Sequence, residues 1–280
     1  MLYPALEVSG VDGDLVAALV DDFSPTAAEQ RDDLTTVFFA DAASRDLAAS
    51  ALALQCPDAA LRSREVDDED WARRSQENLT PITVGRVTVT PPWHALSGPA
   101  TAEHDGHIQI VIAPSMGFGT GHHSTTRLCL AALQTLDLCG RRVVDIGTGS
   151  GVLAIAARAL GAAEAVGLDC DADAIQAANE NLGANPHIDH TRMVVGDLRT
   201  THLSPADVVL ANLTGSLLAQ SAGLLVAAAR PGGTLILSGL LMHERDEVVS
   251  AFGPQAALLS ETAEEGWMCL TFNRMVETRV

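Results

Sequence analysis

From Arg142 onward the apolar residues come in short runs separated by longer stretches of helical spacing: "RVVDIG", "GVLAIAARAL", "AVGLD", "ADAIQAANENL", "RMVVGD", "ADVVLANL", "GSLLAQSAGLLVAAA" and "GTLILSGL". A short run that is apolar at nearly every position is a strand buried on both faces, whereas apolar residues recurring every three or four positions mark an amphipathic helix. Their alternation predicts a mostly parallel sheet with helices on both faces, a Rossmann-like α/β fold. The first third of the chain reads as strand "LYPALEV", helix "GDLVAALVDD", strand "LTTVFFA", helix "SRDLAASALALQ" and strand "ALRSREV", the pattern of a small α+β domain. Between the two regions, "ITVGRVTVTPPW" and "HIQIVIAP" alternate apolar and polar residues and are expected to pair with each other as a hairpin.

A chain of 280 residues has room for one large domain and one small one. The boundaries fall at 1–66 for the small α+β (ferredoxin-like) domain and 81–280 for the α/β domain. Between them, at 67–80, the acidic run from Asp67 to Asp70, Trp71 and a polar stretch to Asn78 read as a linker helix or as an N-capped solvated turn. The net charge of −19 sets 36 acidic side chains against 17 arginines, with no lysine anywhere. That balance argues against direct nucleic-acid binding. It suits a basic protein partner drawn in at long range, and equally a high-GC or salt-adapted proteome. The five cysteines, at 56, 129, 139, 170 and 269, form no C-x-x-C pair and are expected to be buried thiols in a reducing compartment. No secretory leader and no apolar run of roughly 18 residues is present, so a cytoplasmic protein without a membrane span is expected. Nothing bears on oligomeric state.

The chemistry begins at "VVDIGTGSGVLAIAA", where Gly147, Gly149 and Gly151 stand between an apolar strand and a helix. Glycines at such a turn let the backbone fold tightly and approach a ligand. A dinucleotide fingerprint needs its third glycine at position 152, which is Val152 here. Asp145, at the strand end, would repel a pyrophosphate but accept hydrogen bonds from an ammonium group or from backbone amides. Asp169, at the tip of the next strand in "GLDCD", stands where a carboxylate takes ribose hydroxyls as donors. Together these features point to S-adenosylmethionine rather than a nicotinamide cofactor. Asp197, ending the third strand, either meets the adenine amino group or caps a turn.

Four blocks, "MGFGTGHHSTTRLCL", "DIGTGSGVLAIAA", "DVVLANL" and "LILSGLL", with weaker echoes in "PPWH" and "EEGWMCLTFNR", resemble the PrmA methyltransferases, which methylate large-subunit ribosomal protein eleven. The resemblance implies a class I methyltransferase fold preceded by a substrate-recognition domain. It also implies transfer of methyl groups to lysine side chains or the N-terminal amine of a basic ribosomal protein. Methylation of another protein or a small amine, and a non-catalytic S-adenosylmethionine-binding adaptor, are the alternatives. The paired His122 and His123 lack the spacing of a metal site, and the block lacks the ending of a phosphate loop. It reads as a cover in which Gly117, Gly119 and Gly121 allow a bend and Phe118 lies against the cofactor, with Ser124, Thr125 and Thr126 capping the following helix. By resemblance, Thr126 contacts S-adenosylmethionine and Asn212, at the carboxyl end of the fourth strand, is the catalytic residue beside the transferring methyl. The proton of the acceptor amine leaves to His122, His123 or water.

Overall fold

The computed structural model describes residues 2–11, 13–20, 23, 25–31, 34–39, 41–57, 59–67, 79–95, 107–113 and 122–276. The chain divides into two compact units, Met1–Leu79 and Thr80–Val280. The expected linker helix falls largely on residues 68–78, outside the described residues.

The first unit runs β1 (Leu2–Ser9), α1 (Gly13–Val20), β2 (Pro25–Arg31), β3 (Leu34–Phe39), α2 (Ala42–Gln55) and β4 (Ala60–Asp67). Its antiparallel sheet has the order β2-β3-β1-β4, the β-α-β-β-α-β arrangement called ferredoxin-like. Alternate strand residues Leu6, Val8, Val37 and Phe39 pack with Val16, Val20, Ala48 and Leu52 of the two helices. Asp41 starts α2 by accepting the Ser44 amide at 2.9 Å, which satisfies one of the donors left open in a first helical turn.

The second unit opens with β5 (Ile82–Val84), β6 (Val87–Thr90) and β7 (Ile108–Val111). Here the structure corrects the expected hairpin. The chain turns at Gly85 and Arg86, so β5 and β6 pair with each other antiparallel, and β7 joins β6 in parallel. The remainder is α3 (Ser124–Leu133), β8 (Arg142–Ile146), α4 (Val152–Ala159), β9 (Glu164–Asp169), α5 (Ala172–Gly183), β10 (Thr191–Val195), β11 (Ala206–Asn212), α6 (Gly215–Ala228), β12 (Ala229–Leu241), α7 (Arg245–Phe252), β13 (Ala256–Glu264) and β14 (Trp267–Arg274).

The strands β8 to β14 build a seven-stranded sheet of order β10-β9-β8-β11-β12-β14-β13, parallel from β10 to β12, with β14 and β13 antiparallel. The order reverses between β8 and β11, which opens a crevice at the carboxyl ends of these strands. Successive residues of β11 point to opposite faces. Val208 and Leu210 enter a core with α3 and α4, while Val209 and Ala211 enter a second core with α6 and α7. With all four fully buried, β11 carries no polar face, as a strand covered on both sides requires. Truncating Leu210 to alanine would cost about 2 to 5 kcal/mol. In β12, Gly239 holds φ +89° at an irregularity in the pairing, and a Cβ there would stand 2.8 Å from the Leu213 carbonyl carbon. Only glycine lets β12 run this close to the chain leaving β11. No described helix is long and apolar enough to cross a membrane.

Candidate active site

Asp145, one residue before the end of β8, is 1% exposed. Thr148 donates its hydroxyl to Asp145 Oδ2 at 2.6 Å, while the buried Oδ1 has no hydrogen-bond partner among the described residues. Burial pushes the carboxyl up to about 7, against the lowering effect of the Thr148 hydroxyl. A buried acceptor without a partner costs about 1 to 3 kcal/mol. An ammonium or N–H donor arriving at Oδ1 would recover that energy and favour the ionised carboxylate.

Gly147, Gly149 and Gly151 line the turn between β8 and α4, all at positive φ. A Cβ on Gly151 would stand 2.8 Å from Met193 Cε and 3.2 Å from Ala178 Cβ, so both its conformation and its packing demand glycine. The turn is tied to the next strand by the Gly147 and Thr148 amides, which donate to the Leu168 carbonyl at 2.8 and 3.0 Å. Asp169 ends β9, and its carboxylate is oriented by two backbone donors, Gly149 N–H to Oδ2 at 3.0 Å and Asp171 N–H to Oδ1 at 3.1 Å. Each oxygen keeps a lone pair for a further donor such as a hydroxyl. Asp197 lies just past β10, beside β9 through the Val195–Asp169 register. Of the two roles expected for it, the turn cap is visible: its carboxylate accepts the Arg199 amide at 2.8 Å and the Arg199 Nε at 2.9 Å. The Arg199 side chain holds that carboxyl down at about 2.

Thr126 and Asn212, 86 residues apart in sequence, meet at the carboxyl end of β11, where Asn212 Nδ2 donates to Thr126 Oγ1 at 3.4 Å. Thr126 is buried in the first turn of α3. The expected cap is corrected here. His123, not the following hydroxyl residues, is the N-cap, and its Nδ1 accepts the Thr125 amide at 3.4 Å. Its ring stands edge-on to Trp267 with centroids 4.8 Å apart. The imidazole can cap because it presents an unprotonated nitrogen, which frees the Thr126 hydroxyl to face Asn212. His122 Nε2 donates to the Thr80 carbonyl at 2.9 Å.

The same turn is anchored to the β13–β14 hairpin. Arg127 Nε donates to Glu264 Oε1 at 2.8 Å and Arg127 Nη2 to Glu265 Oε2 at 2.9 Å, and Ser124 donates its hydroxyl to Glu265. The Ser124 hydroxyl, then Arg127, holds the Glu265 carboxyl below its usual value. Glu265 and Gly266, at φ +51° and +83°, form a tight turn of the left-handed kind that suits twisted hairpins.

Phe118, Gly117, Gly119 and Gly121 lie outside the described residues. The cysteines depart from expectation: Cys129 and Cys269 are buried, but Cys139 and Cys170 are exposed and Cys56 is half-buried. Their spacing carried no information on burial. Sequence reasoning also passed over Thr148, Asn181 and Asn185, all buried polar residues around the glycine turn. Asn181 had a signal, since it follows Ile175 and Ala178 at the helical interval on the buried face of α5; Asn185, two residues past the helix, had none.

A parallel sheet closed by a reversed final hairpin, with a glycine turn after its first strand and a carboxylate ending the second, defines the class I methyltransferase fold. The family described as Ribosomal protein L11 methyltransferase (PrmA) matches residues 15–275. Relatives of that name include one from Cupriavidus necator, 39% identical over 76% of this chain and 68% of its own. Another, from Deinococcus radiodurans, is 43% identical over 75% and 79% respectively. The crystal structure of a ribosomal protein L11 methylase from Lactobacillus delbrueckii subsp. bulgaricus shares the fold, with a TM-score of 0.62 at 23% identity over 71% of this chain and 99% of that one. The chain belongs to the ribosomal protein L11 methyltransferase (PrmA) family, and it is an S-adenosylmethionine-dependent protein methyltransferase.

Proposed function

We propose that this chain transfers methyl groups from S-adenosylmethionine to lysine side chains, the N-terminal amine, or both, of ribosomal protein L11. The family match over residues 15–275 carries this reading. Residues 1–66 serve as the substrate-recognition domain, 67–80 as a linker helix and 81–280 as the catalytic domain, acting in the cytoplasm without direct contact to nucleic acid or membrane. S-adenosylmethionine, when bound, supplies an electrophilic methyl on a sulfonium.

The residues present fit that ligand. The partnerless Asp145 Oδ1 suits its ammonium group, and Asp169 its ribose hydroxyls. In this reading Asp197 meets the adenine amino group, the glycine turn gives backbone approach, and Phe118, outside the described residues, covers the ligand. Thr126 holds Asn212 from one side by its hydroxyl, so the Asn212 carbonyl is the atom left to accept an N–H from the acceptor amine. In-line methyl transfer needs alignment above all, and a neutral acceptor orients the amine lone pair without stabilising the ammonium form. A free lysine titrates near about 10.4, so desolvation at the site must bring its amine to the neutral state.

The test is to incubate the chain with S-adenosylmethionine and purified L11 and to map methyl groups by mass spectrometry. Because the enzyme contains no lysine, every methylated lysine found belongs to the substrate. Absence of L11 methylation, with another protein methylated in a cell extract, would reassign the substrate.

A further inference from the structure

Asn181, in the last turn of α5, and Asn185, two residues past its end, are 1% and 0% exposed. Burying an amide on the apolar face of a helix is costly unless its polar atoms are bonded, and here all are. Asn185 pairs with both groups of one residue, accepting Val111 N–H at 2.8 Å and donating to Val111 C=O at 2.7 Å, with a second donation to the Asn181 carbonyl. It completes the end of β7 and ties the segment just past α5 back to the last helical turn. Asn181 instead joins two separate stretches of backbone. Its Oδ1 accepts Ala113 N–H at 2.8 Å, two residues beyond β7, and its Nδ2 donates to the Ser150 carbonyl at 2.9 Å, inside the glycine turn.

Ser150 lies between Gly149 and Gly151, both at positive φ. The Ser150–Gly151 peptide is held from both sides: its Gly151 N–H donates to the Thr148 carbonyl at 2.9 Å, and its Ser150 C=O accepts from the Asn181 amide at 2.9 Å. One residue back, the Gly149 amide donates to Asp169, so the orientation of the turn and of the carboxylate are set together.

We infer that Asn181 is a positioning residue for cofactor binding, holding the glycine turn in the geometry that presents Asp169; this rests on the S-adenosylmethionine reading above. The experiment compares Asn181→Ala with Asn185→Ala, which removes an equally buried amide that does not touch the turn. By calorimetry, Asn181→Ala should bind S-adenosylmethionine about tenfold more weakly, as expected for loss of one buried hydrogen bond that preorganises the site. Its KM for S-adenosylmethionine should rise with kcat at saturation held within about twofold, since ground-state and transition-state binding fall together. Asn185→Ala should lower Tm at least as much while keeping its Kd within about twofold, because its bonds are local to β7 and α5. Where Asn181→Ala does not fold, Asn181→Ser leaves a smaller void and gives the same comparison. A folded Asn181 variant with the wild-type Kd overturns the inference, as does equal loss of affinity in the Asn185 variant. Failure of the wild-type chain to bind S-adenosylmethionine would instead refute the reading beneath it.

Discussion

Replacing Asp145 by asparagine should move stability and cofactor affinity in opposite directions. The carboxyl is raised from 3.8 to about 7 by burial, so the folded state favours its protonated form. At 1.36 kcal/mol per unit, ionising this group in the folded chain costs about 4 kcal/mol. The sign follows from the two values. The contribution of Asp145 to stability is intact below its unfolded value, declines as pH rises from about 4 to about 7, and stays at its minimum above the folded value. Asparagine keeps the shape and never ionises. The advantage of Asp145→Asn over wild type should therefore grow by about 3 kcal/mol between about pH 5 and pH 8, or roughly 6 to 12 °C in Tm for a unit of this size. Urea unfolding of both forms at stepped pH measures it directly, provided the slope with denaturant is unchanged. The same variant should bind S-adenosylmethionine at least about tenfold more weakly, because the charge that meets the ammonium is gone. A variant that is less stable than wild type at pH 8, or whose advantage is constant with pH, would refute the claim that Asp145 is held desolvated with Oδ1 left without a partner.

Asp169→Ala should weaken S-adenosylmethionine at least about tenfold in calorimetry, since two charge-assisted hydrogen bonds at about 1.5 to 3 kcal/mol each are lost and water returns part of them; an unchanged Kd with an unchanged melting curve removes Asp169 from the site. Asn212→Asp should bind S-adenosylmethionine nearly as wild type but turn over at least about tenfold more slowly, because a carboxylate stabilises the ammonium form of the acceptor, and activity should recover in part as pH rises. Wild-type turnover by that variant at pH 7 would rule out the acceptor role of Asn212. Association with L11 should slow as salt rises, with screening shortening from about 10 Å at 0.1 M to about 3 Å at 1 M; a salt-independent rate in stopped flow would mean that the net charge of −19 does not steer the encounter.

The parallel strands were legible because burial on both faces fills their interiors with apolar residues, Val143–Val144 in β8, Ala165–Leu168 in β9 and Val208–Ala211 in β11, and leaves the charged and amide residues near their ends. β2, "PTAAEQR", was not, since it pairs with β3 through its backbone while its side chains lack the apolar alternation that marks a strand. β13 failed for a related reason. Most of its residues are exposed at the edge of the sheet, so only its partner β14 had a readable pattern. The hairpin between β5 and β6 had a cue that was passed over, since the apolar positions shift from 82 and 84 to 87 and 89 across Gly85 and Arg86. In the candidate site, the meeting of Asp145, Asp169 and the three glycines around one turn was legible because their spacing follows from the geometry of a strand, a turn and the next strand. The contact between Thr126 and Asn212 was not readable, because nothing local joins residues that far apart. Asn185 was hidden because an asparagine just past a helix reads as surface until the topology brings β7 against it, whereas Asn181, at the helical interval from Ile175 and Ala178, carried a cue that was passed over.

The anchoring of α3 also has a consequence for how the protein is made. Its first turn, which carries Thr126, is held by Glu264 and Glu265, more than 130 residues later in the chain. Chain-closure entropy rises only slowly with such a separation, by about 0.6 kcal/mol per doubling, so the span itself costs little. Its effect is on timing. While the polypeptide is being synthesised, the glycine turn and Asp169 can assemble from neighbouring segments, but Arg127 has no acidic partners from this hairpin until β13 and its turn have emerged. The cofactor half of the site can thus form early in biosynthesis, whereas the buttress behind Thr126 arrives among the last pieces of the sheet.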